Sequence, residues 1–249
     1  MISDFPKVLV AAPQASAKKY CFERFIDNVM QFTYPNFDVK LFDNTNDNGD
    51  FTAYMNGYVQ NNHGKNARFE ALNSVQMHKM KSDSVIERMA RSHNDCRDFT
   101  LRLKYDYLLH LETDLFPPHD IIEQLFFHTK PIVSALYYVD NGIYRKPMIQ
   151  RSVMLAPRFL TSKNFMANED LCFCDGSVKK VAHAGLGCIL ISKLVLEKVK
   201  FRHIDGLNNH PDTYFAEDCA QQRIPIYLDT SIVVEHENSP WGVFGLDYK

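Results

Sequence analysis

The chain has 249 residues, 45% of them hydrophobic and 23% charged, enough apolar material for one substantial core, with no stretch composed like an interdomain linker. A formal net charge of -2 excludes the global basic field that drives non-specific nucleic-acid binding, while leaving room for local basic patches. No apolar run reaches membrane-spanning length, the start does not read as a signal peptide, and the six cysteines lack a paired C-x-x-C spacing, so a cytoplasmic chain with reduced thiols is expected.

The apolar run within 7–13 ends at proline and reads as a buried strand, with Ser16 placed to cap a following helix. That helix carries Phe22, Phe25, Ile26, Val29 and Met30 at the i, i+3, i+4, i+7 spacing of one buried face, and Pro35 lies beyond its end. A second strand over 37–42 runs into a polar loop over 43–49. Strand, helix, strand and polar loop are the opening of a parallel nucleotide-binding sheet. The span 66–97 reads mainly as one helix, with Ala67, Ala71, Leu72 and Val75 among its apolar face and Arg68 in its early part.

A strand over 105–111 then runs into Glu112 and Asp114 and is stopped by Pro117 and Pro118, after which Asp120 opens a helix. Residues 132–136 form another strand. From 138 to 181 the periodicity disappears into a long irregular stretch rich in Lys, Arg, Asn and aromatic residues, of a length that is usually functional or disordered. It contains Cys172 and Cys174, whose C-x-C spacing could clip a metal but is more simply read as two loop or buried thiols. A glycine turn leads into a strand within 183–191, Ser192 caps a helix over 193–200, and Asp212 or Thr213 opens a short helix containing Glu217 and Asp218. Strands over 224–228 and 232–234 lead to His236 and a tail with Trp241, which could close over a ligand or simply anchor the terminus.

Glu112 and Asp114 flank one residue and therefore share a face of an extended chain; at a strand's carboxyl end they project together into the crevice where open α/β sheets bind ligands. Two such carboxylates repel unless a cation lies between them, and oxygen ligands suit Mg2+ or Mn2+ shared with a substrate's phosphates. Taken alone, an E-x-D is more simply a solvated turn.

It does not stand alone. Asp43 after the second strand, Glu112-x-Asp114, the acid pair in FAEDCAQQ at 215–222 and His236 recur in a fixed order. With NAR at 66–68, YDYLLHLETDLFPP at 105–118, VSALYY at 133–138, GLGC at 185–188 and IPIYLDTSIVVEH at 224–236, the chain resembles glycosyltransferases of the GT-A fold, particularly the large family-2-like group. The resemblance implies a single α/β domain over 1–249 with a Rossmann-like, mixed but mainly parallel central sheet flanked by helices. In that scheme 1–115 is the nucleotide-binding half and 116–249 the acceptor-binding half.

The resemblance puts metal contact on Asp114 and His236, with Glu112 as a further ligand; a carboxylate and imidazole shell leans toward Mn2+ over Mg2+. Glu112 stands where the pattern usually has Asp, so it would reach the ion through water or touch the ribose instead. Asp218 matches the family's base, with Glu217 the less favoured choice, and a helix-dipole role is the plain alternative. The donor nucleotide would meet Ala11 to Pro13, Asp43, Arg68, Glu112 and Thr113, with Gly185 and Gly187 admitting the donor sugar close to the backbone. Asp43 as a turn former, Arg68 as a solvated residue and the glycines as a tight turn are the plain alternatives.

The implied activity is metal-dependent transfer of a hexosyl or pentosyl group from a UDP- or GDP-sugar to an acceptor hydroxyl, with inversion. A nucleotide-sugar-binding domain without turnover is the alternative, as is an enzyme of the viral kind that glycosylates a modified nucleic-acid base. Nucleotidyl transfer is disfavoured, because residues 11–16 lack the glycines its phosphate loop requires.

Overall fold

A strand whose residues are apolar without alternation must be covered on both faces. In the computed structural model, which describes residues 5–64, 68–80, 84–140, 145–150, 173–207 and 209–237, β1 (Val8–Gln14) is such a strand. Its Val8 and Val10 face one apolar cluster and Leu9 and Ala11 the other, as the period of two dictates.

A single 3-10 turn (Ser16–Lys18) links β1 to α1 (Lys19–Val29), and β2 (Phe37–Asp43), α2 (Asp50–His63) and β3 (Phe69–Asn73) follow. Next come α3 (Ser74–Met77), α4 (Val85–Arg102), β4 (Tyr107–Leu111), β5 (Leu115–Phe116), α5 (Ile121–Phe127) and β6 (Ile132–Leu136). Short strands β7 (Tyr138–Asp140), β8 (Arg145–Pro147), β9 (Ile149–Gln150), β10 (Val178–Val181) and β11 (His183–Ala184) precede β12 (Cys188–Ser192). The remaining elements are α6 (Lys193–Leu196), α7 (Pro211–Gln221), β13 (Ile226–Val233) and β14 (Glu235–His236).

Eight strands form one sheet in the order β10-β13-β6-β12-β4-β1-β2-β3. β12 runs antiparallel to both β4 and β6, and β10 antiparallel to β13, while the other neighbours are parallel. Six strands therefore present their carboxyl ends on one edge. α1, α2 and α5 contribute to the core on one face and α4, α6 and α7 to that on the other. Phe22, Phe25 and Ile26 of α1 are completely buried, each contributing about 1.5–3 kcal/mol by its removal from water. Among the described residues no helix is long and apolar enough to cross a membrane.

The structure departs from the sequence expectations in particular places. The span 66–97 is not one helix: β3 pairs in parallel with Val39–Asp43 of β2, because sheet pairing overrides the helix propensity of Glu70, Ala71 and Leu72. α2 was hidden by its asparagines, although Phe51, Met55 and Val59 at four-residue spacing are its buried stripe. Asp47 starts that helix by accepting from the amides of Gly49 and Phe51, with Gly49 at a φ of 94° that favours glycine. Ser16 caps nothing with its side chain; its amide donates to Thr45. Ser192 occupies the cap position of α6 without a side-chain bond, and His210, not Asp212 or Thr213, precedes α7, with Pro211 at its first position. The stretch after 138 holds the β7–β8 hairpin and β9, and 224–234 is essentially one strand with an irregularity between Asp229 and Val233. Asn66, Ala67, Cys172 and Trp241 lie outside the described residues.

Candidate active site

The acid pair sits at the carboxyl end of β4, on the edge shared with β1, β2, β6 and β13. The Glu112 amide donates to the Gly187 carbonyl at 2.8 Å, and the Leu115 amide returns to the Glu112 carbonyl at 3.1 Å, so the pair occupies a fixed turn. β14 pairs with β5 and sets His236 opposite Leu115, beside Asp114. His236 Nδ1 donates to the Tyr138 carbonyl at 2.8 Å, which leaves Nε2 facing Asp114 Oδ2 at 3.4 Å.

Lys18, from the 3-10 turn after β1, bridges the pair: its Nζ lies 2.8 Å from Glu112 Oε2 and 3.0 Å from Asp114 Oδ1. Burial pushes the Asp114 carboxyl up, but the Lys18 ammonium and the His236 ring outweigh it and hold the group well below the usual carboxylate range. For His236 burial favours the neutral ring, yet the bond to Asp114 prevails and raises its pKa. Lys18 is raised too, because the charges of Asp114 and Glu112 exceed the effect of its burial. Sequence reasoning missed this lysine. A cation at the start of α1 opposes the helix dipole, and that conflict was the available signal.

Tyr137 closes one side, with its ring edge-on to His236 at 5.6 Å and its hydroxyl accepting from the Gly187 amide at 3.1 Å. A Cβ on Gly187 would lie 2.4 Å from Leu115 Cδ1 and 2.6 Å from Tyr137 Cζ, and one on Gly185 only 2.0 Å from the Tyr137 hydroxyl. Beneath the pair, His110 Nδ1 donates to the Leu186 carbonyl at 2.5 Å, so its Nε2 must accept from His93 Nδ1 at 2.9 Å. Both rings are buried and neutral, their pKa values lowered chiefly by desolvation.

The other half of the molecule brings one further carboxylate. Asp212 lies in the first turn of α7, which packs on β11, and its Oδ2 is 3.5 Å from His183 Nε2. Burial works against its charge, but His183 prevails and keeps it ionised well below the usual range. Its charge bears on the Tyr137 hydroxyl and the His110 ring, the same two groups that feel Glu112.

No protein-family model and no curated protein matches the sequence. Solved structures do match in three dimensions. GalNAc-T7, solved with UDP, GalNAc and Mn2+, aligns with a TM-score of 0.62 at 9% identity over 99% of this chain and 46% of its own. The mannosyltransferase PcManGT of Pyrobaculum calidifontis, in complex with GDP-Man and Mn2+, aligns at 0.57 and 14% identity over 93% and 57%. The fold is GT-A. TarS of S. aureus aligns at 0.54 and 12% identity over 94% and 61%, so the chain spans roughly half to six-tenths of these three neighbours.

On this GT-A frame the structure brings Glu112, Asp114 and His236 together, with Thr113 and Gly187 beside them, and places Asp43, Arg68, Glu217 and Asp218 in other contacts. Asp218 accepts from Arg202 Nε and Nη2 at 2.9 and 3.0 Å, and Glu217 from the same guanidinium at 3.3 Å. Six residues beyond Asp212, Asp218 is turned about 240° around the helix and displaced about 9 Å along it. The acid pair thus belongs to an ion-pair cluster with Arg202 and not to the face that carries Asp212. Asp43 is completely buried, with its oxygens accepting from the Thr45 amide and the Thr52 hydroxyl, so it holds the loop. Ala11, in mid-strand, and Thr113, bonded to Gln14 at 2.8 Å, are likewise buried, while Pro13 is partly exposed. Arg68 lies at the amino end of β3, about 16 Å of strand from the carboxyl edge, with its guanidinium on the Pro35 carbonyl. Gly187 faces Tyr137 and Leu115 on its Cβ side.

Two carboxylates and an imidazole are donors that suit Mn2+. Among the described residues no group of three such side chains is gathered closely enough to hold an ion, and the Lys18 ammonium lies between the carboxylates.

Proposed function

We propose that the protein transfers a glycosyl group from a nucleotide-diphosphate sugar to an acceptor hydroxyl at the carboxyl edge of its sheet. One observation carries this reading. Glu112, Asp114, Lys18 and His236 form a charged cluster at that edge, and the charge of Asp212, in the first turn of α7, bears on the Tyr137 hydroxyl and the His110 ring beside it. The UDP and GDP-Man held by two structural neighbours support a nucleotide-diphosphate donor.

The departing diphosphate accumulates negative charge, and cations at the strand edge stabilise it where water is excluded. With Lys18 displaced from between the carboxylates, Asp114 and His236, with Glu112, would hold a divalent ion, which when bound supplies Lewis-acid neutralisation of that charge. Asp212 is the carboxylate assigned to accept the acceptor hydroxyl's proton, being ionised and set in the first turn of α7 with His183 Nε2 3.5 Å away. A base on the acceptor side of the sugar gives single displacement with inversion.

The test is release of UDP or GDP from a panel of nucleotide sugars with Mn2+, coupled to calorimetry of donor binding. Donor binding, with turnover lost in Asp212→Asn, is the expected result. Absence of any donor binding would overturn the proposal, and binding without turnover across a broad acceptor panel would leave the protein a nucleotide-sugar binder.

A further inference from the structure

Lys18 fills the position between two carboxylates that would otherwise attract a divalent ion. Its ammonium donates to both acids, it is largely buried, and no other acceptor holds it among the described residues. The backbone does not explain its place, since the start of α1 repels a cation; the two carboxylates do. A lysine on a flexible four-carbon stem can exchange one anionic partner for another without moving the main chain.

Charge decides when that exchange is favourable. A divalent ion entering alone would cancel the two carboxylates and strand the Lys18 ammonium, partly buried, beside a neutral assembly. An ion entering with a nucleotide diphosphate brings new negative charge within reach of the same ammonium. We propose that Lys18 is an internal counter-ion that keeps the acid pair closed to divalent metal until a nucleotide diphosphate arrives, and then moves onto the diphosphate. The nucleotide half of this rests on the donor site described under the proposed function. Metal and nucleotide binding are then reciprocally coupled through one side chain.

The experiment is Mn2+ titration followed by electron paramagnetic resonance, with and without UDP or GDP. Without nucleotide, Lys18→Met is expected to bind Mn2+ at least about tenfold more tightly than the parent, as removal of a competing charge at contact distance requires. Adding nucleotide should raise Mn2+ affinity strongly in the parent and only weakly in the variant. Equal Mn2+ affinity of parent and variant without nucleotide overturns the counter-ion. Failure of UDP and GDP to bind the parent in Mn2+ overturns the nucleotide half together with the donor site, and the metal-only comparison tells the two failures apart. Should Lys18→Met not fold, reductive methylation of the parent decides: Lys18 should be protected in the free protein and become reactive at saturating Mn2+ alone. Unchanged protection overturns the proposal.

Discussion

Exchanging Asp212 for Asn keeps the side chain's shape and its bond to the Thr213 amide while removing its capacity to take a proton. Loss of a general base costs roughly 100- to 10,000-fold in transfer, which corresponds to about 3–5 kcal/mol of transition-state stabilisation. The cost to folding is smaller. A first-turn carboxylate contributes about 0.3–1 kcal/mol through the helix dipole, and the His183 contact is long at 3.5 Å. Asp218→Asn gives the opposite pattern, because it weakens a partly exposed pair of hydrogen bonds to Arg202 worth no more than about 1 kcal/mol and, among the described residues, makes no contact with the strand-edge cluster. Initial transfer rates, donor calorimetry and thermal unfolding on both variants make the comparison. Asp212→Asn should bind donor normally and transfer at least about 100-fold more slowly, with Asp218→Asn within a few-fold of the parent. A slow Asp218→Asn beside an active Asp212→Asn would refute the assignment of the base and return it to the FAED acids.

Burial keeps His110 neutral down to about 4 and depresses His93 as well, so between that pH and 6.5 the unfolded chain binds protons that the folded chain does not. Stability should therefore be intact above pH 6.5 and fall as pH drops, by about 3 kcal/mol for His110 alone near pH 4; urea unfolding should show this slope, and His110→Gln should flatten it. Gly187→Ala should cost about 1–3 kcal/mol in unfolding free energy, because its Cβ meets Leu115 and Tyr137, and truncating Tyr137 in the same chain should recover part of the loss. Asp43→Ala should destabilise by about 1–3 kcal/mol by orphaning the Thr45 amide and Thr52 hydroxyl, and Arg68→Ala should leave donor affinity unchanged by calorimetry.

The central strands were legible because burial on both faces leaves an unmistakable pattern. β1, β4 and β6 are near-continuous apolar runs and β2 alternates apolar residues with Asp38 and Lys40, and all four appear within two residues of where the pattern puts them. Elements with one wet face were less legible. β3, at the sheet edge, buries Ala71 and Asn73 but keeps Glu70 outside, and its composition suits a helix as well as a strand until β2 pairs with it. α2 offers a thin apolar stripe among polar residues, so its existence depends on the surface of α1 and β3 that it covers.

In the site, legibility followed the chain's local geometry. Glu112 and Asp114 could be placed together from sequence because a strand end fixes where both side chains go, whereas His236 entered only through the family resemblance, and the pairing of β14 with β5 is what sets it beside Asp114. Asp212 was passed over because the two adjacent acids Glu217 and Asp218 make the more conspicuous motif, and the phase of α7 is known only once Pro211 is seen as its first residue. For Lys18 the sequence offers only the conflict of a cation with the start of α1, since its position depends on a single 3-10 turn carrying β1 into α1. The antiparallel β12, inserted between β4 and β6, is what turns these local features into one site: its approach strand supplies the Gly187 carbonyl that fixes Glu112, and the β11 segment before it supplies the His183 that holds Asp212. An edge selected for stability alone would gain from apolar residues of similar volume, since buried ion pairs seldom repay their desolvation. The cluster of Asp114, Lys18 and His236 at the carboxyl edge is therefore better explained by a charged ligand that completes it than by the fold that carries it.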